Sequence, residues 1–203
     1  MRHLAGVLVL SAFVMSLIST RVDADESLRS VTTQTSIGLF YLSGAPEVDS
    51  LWREGDKGKR LLLQGRVLTP QGRPVPDALV ELWHADAEGS VDESRYRASQ
   101  RTKPDGSFGV RTVLPGHIEM ARDNAVFAPR HVHVAVSHPG HQRLVSLIFF
   151  QGDERLVGSP YPELAIPIEQ AHFASQRGNQ DRNLNELFMA QVELVLGQKT
   201  AKP

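Results

Sequence analysis

The chain has 203 residues and no cysteine. That excludes disulfides, thiolate nucleophiles, zinc–thiolate sites and a lipid carried on an N-terminal cysteine. Any metal must be held by His, Asp, Glu, Tyr or backbone groups. Net charge is scarce as well: 22 basic residues against 23 acidic ones leave −1. No nucleic-acid or anionic-membrane partner is therefore expected, and a small or neutral ligand is. Apolar runs of membrane-spanning length are missing, since the longest, Leu4 to Ile18, is short for a stable span. That run follows a positively charged Met1-Arg2-His3 and precedes the small residues Val22 and Ala24, the order of a secretory signal peptide. The reading is a signal peptide over residues 1–24, cleaved after Ala24, and a secreted or periplasmic protein with no membrane association once it is cleaved. With 41% hydrophobic and 22% charged residues, residues 25–203 suffice for one domain with a sizeable core.

What is present is a series of short alternating segments punctuated by Pro and Gly. Arg60 to Leu68, Ala78 to Trp83, Ser107 to Leu114, the run around His131 to Val136, and Leu144 to Phe150 read as strands. Thr69 to Pro76 and Lys103-Pro104-Asp105-Gly106 read as turns, Ala85 to Gln100 as a loop, and Pro115 to Ala128 as a longer connection. Leu187 to Leu196 reads as a last strand, with a terminal helix as its rival. Short strands at regular spacing predict an all-β sandwich.

The stretch Ala128-Pro129-Arg130-His131-Val132-His133-Val134-Ala135-Val136 carries the chemistry. Side chains alternate across a strand, so His131 and His133 share a face, and two imidazoles one residue apart form half of a metal site. Iron, copper and zinc all suit such donors.

Several motifs in order give the chain a resemblance. They are Gly38-Leu39-Phe40-Tyr41; Leu61-x-Leu63-x-Gly65-Arg66-Val67; and Gly72-x-Pro74-Val75-x-x-Ala78-x-Val80-Glu81-x-Trp83-x-Ala85-Asp86-x-x-Gly89. Asp105-Gly106-x-Phe108, Arg111-Thr112-x-x-Pro115-Gly116, His131-Val132-His133-Val134 and Phe150-x-Gly152-Asp153 follow. Together they are similar to the intradiol ring-cleavage dioxygenases. The resemblance implies a β-sandwich enzyme with non-haem ferric iron (Fe3+) held by two Tyr and two His. Such enzymes cleave catechol-type rings between the two hydroxyl-bearing carbons with O2. It implies a small aromatic, catechol-like ligand and O2 as partners, and a homo-oligomer or a related subunit as in protocatechuate dioxygenases. His131 and His133 match the family's two histidine ligands.

The family's tyrosine positions, two after Gly89 and three after Pro115, fall on Val91 and Ile118. Its Arg before the first ligand histidine falls on Ala128, and its Gln in the next strand on Leu147. Loss of one donor that stabilises transition-state charge typically costs ~2.7–4 kcal/mol. Two alternatives to family activity follow. One is a catalytically silent accessory protein or a binder of aromatic or sugar-like ligands. The other is a three-histidine site of His117, His131 and His133, holding copper or zinc with changed chemistry. Glu119, Tyr41, Tyr96 and Tyr161 are further oxygen donors to place. His84 is read as structural, and His138 and His141, which flank a turn, as exposed.

Overall fold

The computed structural model describes residues 28–38, 40–92, 94–121, 126–172 and 186–199. The expected signal segment and its expected cleavage point lie outside the described residues. Among the described residues eleven strands run in chain order: β1 Arg60–Leu68, β2 Leu79–Trp83, β3 Arg97–Arg101, β4 Ser107–Val113, β5 Glu119–Ala121, β6 Val126–Phe127, β7 His131–Ser137, β8 Leu144–Phe150, β9 Ala165–Ile166, β10 Ile168–His172 and β11 Glu186–Val195. One sheet has the order β10-β11-β1-β4, the other β3-β2-β7-β8-β9, and β5 and β6 form a small hairpin. This is the β-sandwich expected from the spacing of the apolar runs.

Alternation builds the sandwich interior. On β1, Leu61, Leu63 and Val67 are buried while Gln64 and Arg66 are exposed. They meet Val80 and Leu82 of β2, Val132, Val134 and Val136 of β7, and Ile148 of β8 in one cluster drawn from both sheets. Each fully buried aliphatic side chain contributes ~1.5–3 kcal/mol. The odd positions of β7 must then face the other way. Ala135 packs there with Trp83 of β2 and Val145 of β8, under Ile37 and Tyr41. His131 and His133 share that outer face by the same alternation. The N-terminal arm crosses to it: the Thr32 amide donates to the Val195 carbonyl at 3.1 Å, and the Thr35 amide to the Val145 carbonyl at 2.8 Å.

Three expectations need correction or completion. The expected loop Ala85 to Gln100 ends inside a strand, because β3 pairs along β2 from Arg101↔Leu79 to Arg97↔Trp83. Its polar sequence gives no period-2 signal, since the pairing comes from backbone groups at a sheet edge. The connection Pro115 to Ala128 contains the β5–β6 hairpin. The C-terminal segment is a strand and not a helix: β11 runs parallel to β1 over Arg60↔Leu187 to Leu68↔Val195, a partner too distant in sequence to be read locally.

Candidate metal and ligand site

Cross-strand register sets the two histidines in place. His133 lies opposite Trp83 on one side and Leu147 on the other, and His131 lies opposite Phe149. The His133 ring stacks on Trp83, with centroids 5.0 Å apart and planes 4° from parallel. Its other flank is closed by Gly38, a left-handed residue (φ 74) where an added Cβ would stand 2.7 Å from His133 Cε1. Packing therefore orients this ring: among the described residues its Nδ1 is buried without a hydrogen-bond partner. His131 is held differently. Its Nδ1 is 2.7 Å from the Pro129 carbonyl, which makes Nδ1 the N–H donor and leaves Nε2 with the lone pair. The two Nε2 atoms are 3.1 Å apart, with the rings at 78° to each other.

Burial keeps these imidazoles neutral. It pushes His133 down to about 3, helped by His131 and His84, and lowers His131 against the opposing bond to Pro129. Neutral imidazoles are the form that binds metal.

Two loops make the wall facing His133. Asp86 organises the first, accepting from the amides of Glu88 at 2.9 Å and Ser90 at 2.8 Å, while its carbonyl accepts from Gly116 at 2.8 Å. Gly89 (φ 86) lets the loops touch, because a Cβ there would stand 2.0 Å from the His117 carbonyl oxygen. Arg95 anchors the far end through an ion pair with Asp56 and a 2.9 Å bond to the Leu51 carbonyl. As a result Val91 of the first loop and Ile118 of the second line one pocket with His133, Tyr41 and Trp83. The cavity encloses about 20 Å³, room for about one water.

The remaining sequence candidates divide clearly. His117 is engaged elsewhere: its Nε2 is 3.0 Å from both oxygens of Asp153, a buried carboxylate that also accepts from the amides of Arg130 at 2.8 Å and Arg155 at 2.9 Å. Among the described residues no three His, Asp or Glu side chains are grouped to hold a cation. The three-histidine arrangement is thus not assembled here, since His117 spends its donor on a carboxylate that ties the second loop to Arg130, the residue before β7. Tyr96 lines the pocket but is buried, and burial with the nearby Asp56 charge raises its phenol above the usual range, away from the phenolate form. Tyr41 donates between the two oxygens of Glu81, each at 3.2 Å. Tyr161 caps a short 3-10 turn, Pro162–Leu164. Glu119 sits on β5 opposite Phe127. His84 is structural, as expected: Nδ1 meets the Ala85 carbonyl at 2.6 Å, Nε2 meets the Thr112 hydroxyl at 2.8 Å, and burial pushes it to about 4. His138 and His141 are half-buried rather than exposed.

Trp83, Gly38 and Asp153 were missed as site-building residues. Alternation along β2 already puts Glu81 and Trp83 on one face, and Gly38 and Asp153 both lie inside motifs quoted above.

Comparisons with known proteins bear on the family and the fold. The sequence model of a family described as Dioxygenase matches residues 43–183. Catechol 1,2-dioxygenase 2 of Acinetobacter lwoffii is 33% identical over 163 residues, 68% of this chain and 59% of that protein. Hydroxyquinol 1,2-dioxygenase of Nocardioides simplex is 30% identical over 151 residues, 65% of this chain and 52% of that protein. The chain thus spans between half and three fifths of these relatives. Among solved structures, catechol 1,2-dioxygenase from Pseudomonas arvilla C-1 superposes with a TM-score of 0.74 at 24% identity, covering 88% of this chain and 66% of that one. The dioxygenase domain of a dioxygenase carbohydrate-binding protein fusion from Streptomyces sp. SirexAA-E does so at 0.69 and 24%, covering 84% and 100%. Likeness at this identity shows the fold.

Proposed function

This chain belongs to the intradiol ring-cleavage dioxygenase family, and on that premise we propose that its pocket serves a catechol-type aromatic diol at a metal faced by His131 and His133. The carrying observation is the pair of Nε2 atoms 3.1 Å apart on the outer face of the five-stranded sheet, in the chain's matched family segment. Nitrogens ~2.0–2.1 Å from one cation stand about 2.8–3.4 Å apart for bond angles between square and tetrahedral, so the pair has the span of adjacent ligands. Within this reading His131 and His133 hold the metal, Trp83 and Gly38 orient His133, and Asp153 fixes the loop that carries Ile118 into the pocket. A metal there would polarise the diol oxygens and lower their proton affinity. A cavity of about 20 Å³ is smaller than an aromatic ring, so entry of a diol requires displacement of the half-exposed Phe40–Leu42 segment, whose Phe40 is held at φ 72.

The residues present do not fit the family's ferric centre. Two of its four donors, the anionic tyrosine oxygens, fall on Val91 and Ile118, which close the pocket with hydrocarbon. That observation favours a second reading, a catalytically silent relative that binds the diol without cleaving it. Oxygen uptake and ring-cleavage product absorbance, with catechol and hydroxyquinol as substrates, separate the two. Uptake matched by product means family activity. Binding seen by quenching of Trp83 fluorescence, with no uptake under iron, copper or zinc loading, means the silent reading. Neither binding nor uptake overturns both. Export is part of the proposal: fractionation of cells making the full chain should find it outside the cytoplasm, beginning at Asp25.

A further inference from the structure

We propose that Glu81 and Arg143 are specificity-determining residues of the pocket: together they read one uncharged hydroxyl on an aromatic ring, in the place that the chain's own Tyr41 phenol fills. The inference rests on the reading that the pocket serves a catechol-type diol. It deepens that reading by naming the residues that recognise the ring and the group they select.

The strand puts the carboxylate there. Alternation along β2 sets Glu81 on the same face as Trp83, the residue that stacks on His133. Across the sheet Glu81 faces Ala135, whose methyl group offers it no hydrogen bond. Glu81 is 8% exposed and lines the pocket with a buried carboxylate. Tyr41 meets it, donating its hydroxyl toward both carboxylate oxygens at 3.2 Å each. Arg143 completes the arrangement. Its Nη2 donates to the Tyr41 oxygen at 3.3 Å and stands 4.0 Å from Glu81 Oε2. The phenol is therefore read twice, as a donor by the carboxylate and as an acceptor by the guanidinium. Its ring rests on Trp83, with centroids 5.1 Å apart and planes at 59°.

A ring bearing a hydroxyl is also the chemistry of the proposed ligand. The cavity beside Tyr41 encloses about 20 Å³, so room for a ring appears when the Tyr41 ring leaves. The exchange conserves the polar contacts: the ligand hydroxyl donates to Glu81 and accepts from Arg143 as Tyr41 does. Phe40 and Leu42, on either side of Tyr41, are exposed, and Phe40 holds a left-handed φ of 72 that residues other than glycine rarely adopt. Behind them Arg97 binds the Leu42 and Ser43 carbonyls at 2.6 and 3.0 Å, which places the pivot before Leu42.

Charge sets the selection. A ring carboxylate brought to Glu81 meets a like charge, and a methyl ether has no proton to donate. Arg143 attracts a carboxylate, but its side chain is 46% exposed against 10% for Glu81, so water screens Arg143 more and Glu81 decides.

The test is calorimetric titration of the full chain with catechol, 1,2-dimethoxybenzene and benzoate. We expect catechol to bind at least ~10-fold more tightly than either of the others. Tyr41→Phe keeps the ring but removes the hydroxyl that competes for Glu81, and should tighten catechol by ~10-fold. Glu81→Gln should weaken catechol and cut the preference for catechol over benzoate by at least ~10-fold. Tyr161→Phe should change neither. The gain in Tyr41→Phe is one that a damaged fold does not mimic. Unchanged or weaker catechol binding in Tyr41→Phe overturns the proposal, and so does an unaltered preference in Glu81→Gln. Catechol bound equally by every variant sinks this inference alone. No catechol binding by any variant sinks the diol reading and this inference with it.

Discussion

Strand β7 carries a histidine pair at each end. At its start His131 and His133 have ring centroids 4.7 Å apart; just beyond its end His138 and His141 have theirs 5.0 Å apart. By ring distance alone the pairs are nearly the same. They differ in what surrounds them. The first pair is walled by Trp83, Phe149 and Gly38, and both its Nε2 atoms face each other. The second is set in a turn, where His138 Nδ1 is taken by the Gly140 amide at 3.2 Å. The difference teaches that proximity of imidazoles does not make a site. A site needs a packed wall that fixes the ring planes and Nε2 atoms brought face to face.

The comparison breaks most visibly at Trp83, which is 8% exposed and supports one pair only. Trp83→Ala should cost ~3–5 kcal/mol and weaken metal binding at His133, whereas His138→Ala should cost under ~1 kcal/mol. Urea unfolding of both variants reads this directly. Equal losses would mean that the stack contributes nothing special.

Acid sharpens the contrast. His133 at about 3 and His84 at about 4 in the folded chain lie below the unfolded histidine value of ~6.5, so as pH falls the unfolded chain takes up protons first. Stability is therefore full above about pH 6.5 and declines as pH drops toward 3–4, by a few kcal/mol. Urea midpoints at pH 7.5 and pH 4.5, in the presence of a chelator, should differ accordingly. A flat profile would show that these rings are not held neutral by burial.

The smallest effect separates the two neighbouring glycines. Gly38→Ala forces a left-handed alanine and a 2.7 Å approach to His133 Cε1, for a loss of ~1–3 kcal/mol. Gly140→Ala meets His138 Nδ1 at an ordinary 3.5 Å and has no positive φ, so its effect should stay within ~1 kcal/mol. Thermal melts of the two variants decide this.

The sequence by itself determined the sandwich and the shared face of His131 and His133, and its resemblance to the family matched Val91 and Ile118 to the tyrosine positions. These follow from the period-2 geometry of a strand and from motifs in fixed order, which are local properties of the chain. Only the tertiary structure decided that His117 belongs to Asp153, 36 residues away, that Trp83 stacks on His133, 50 residues on, and that β3 and β11 find their partners in β2 and β1. Those contacts join segments that carry no mark of one another. Which donor meets which acceptor is settled by how the loops pack on the finished sheet, where each buried polar group takes the partner within its reach.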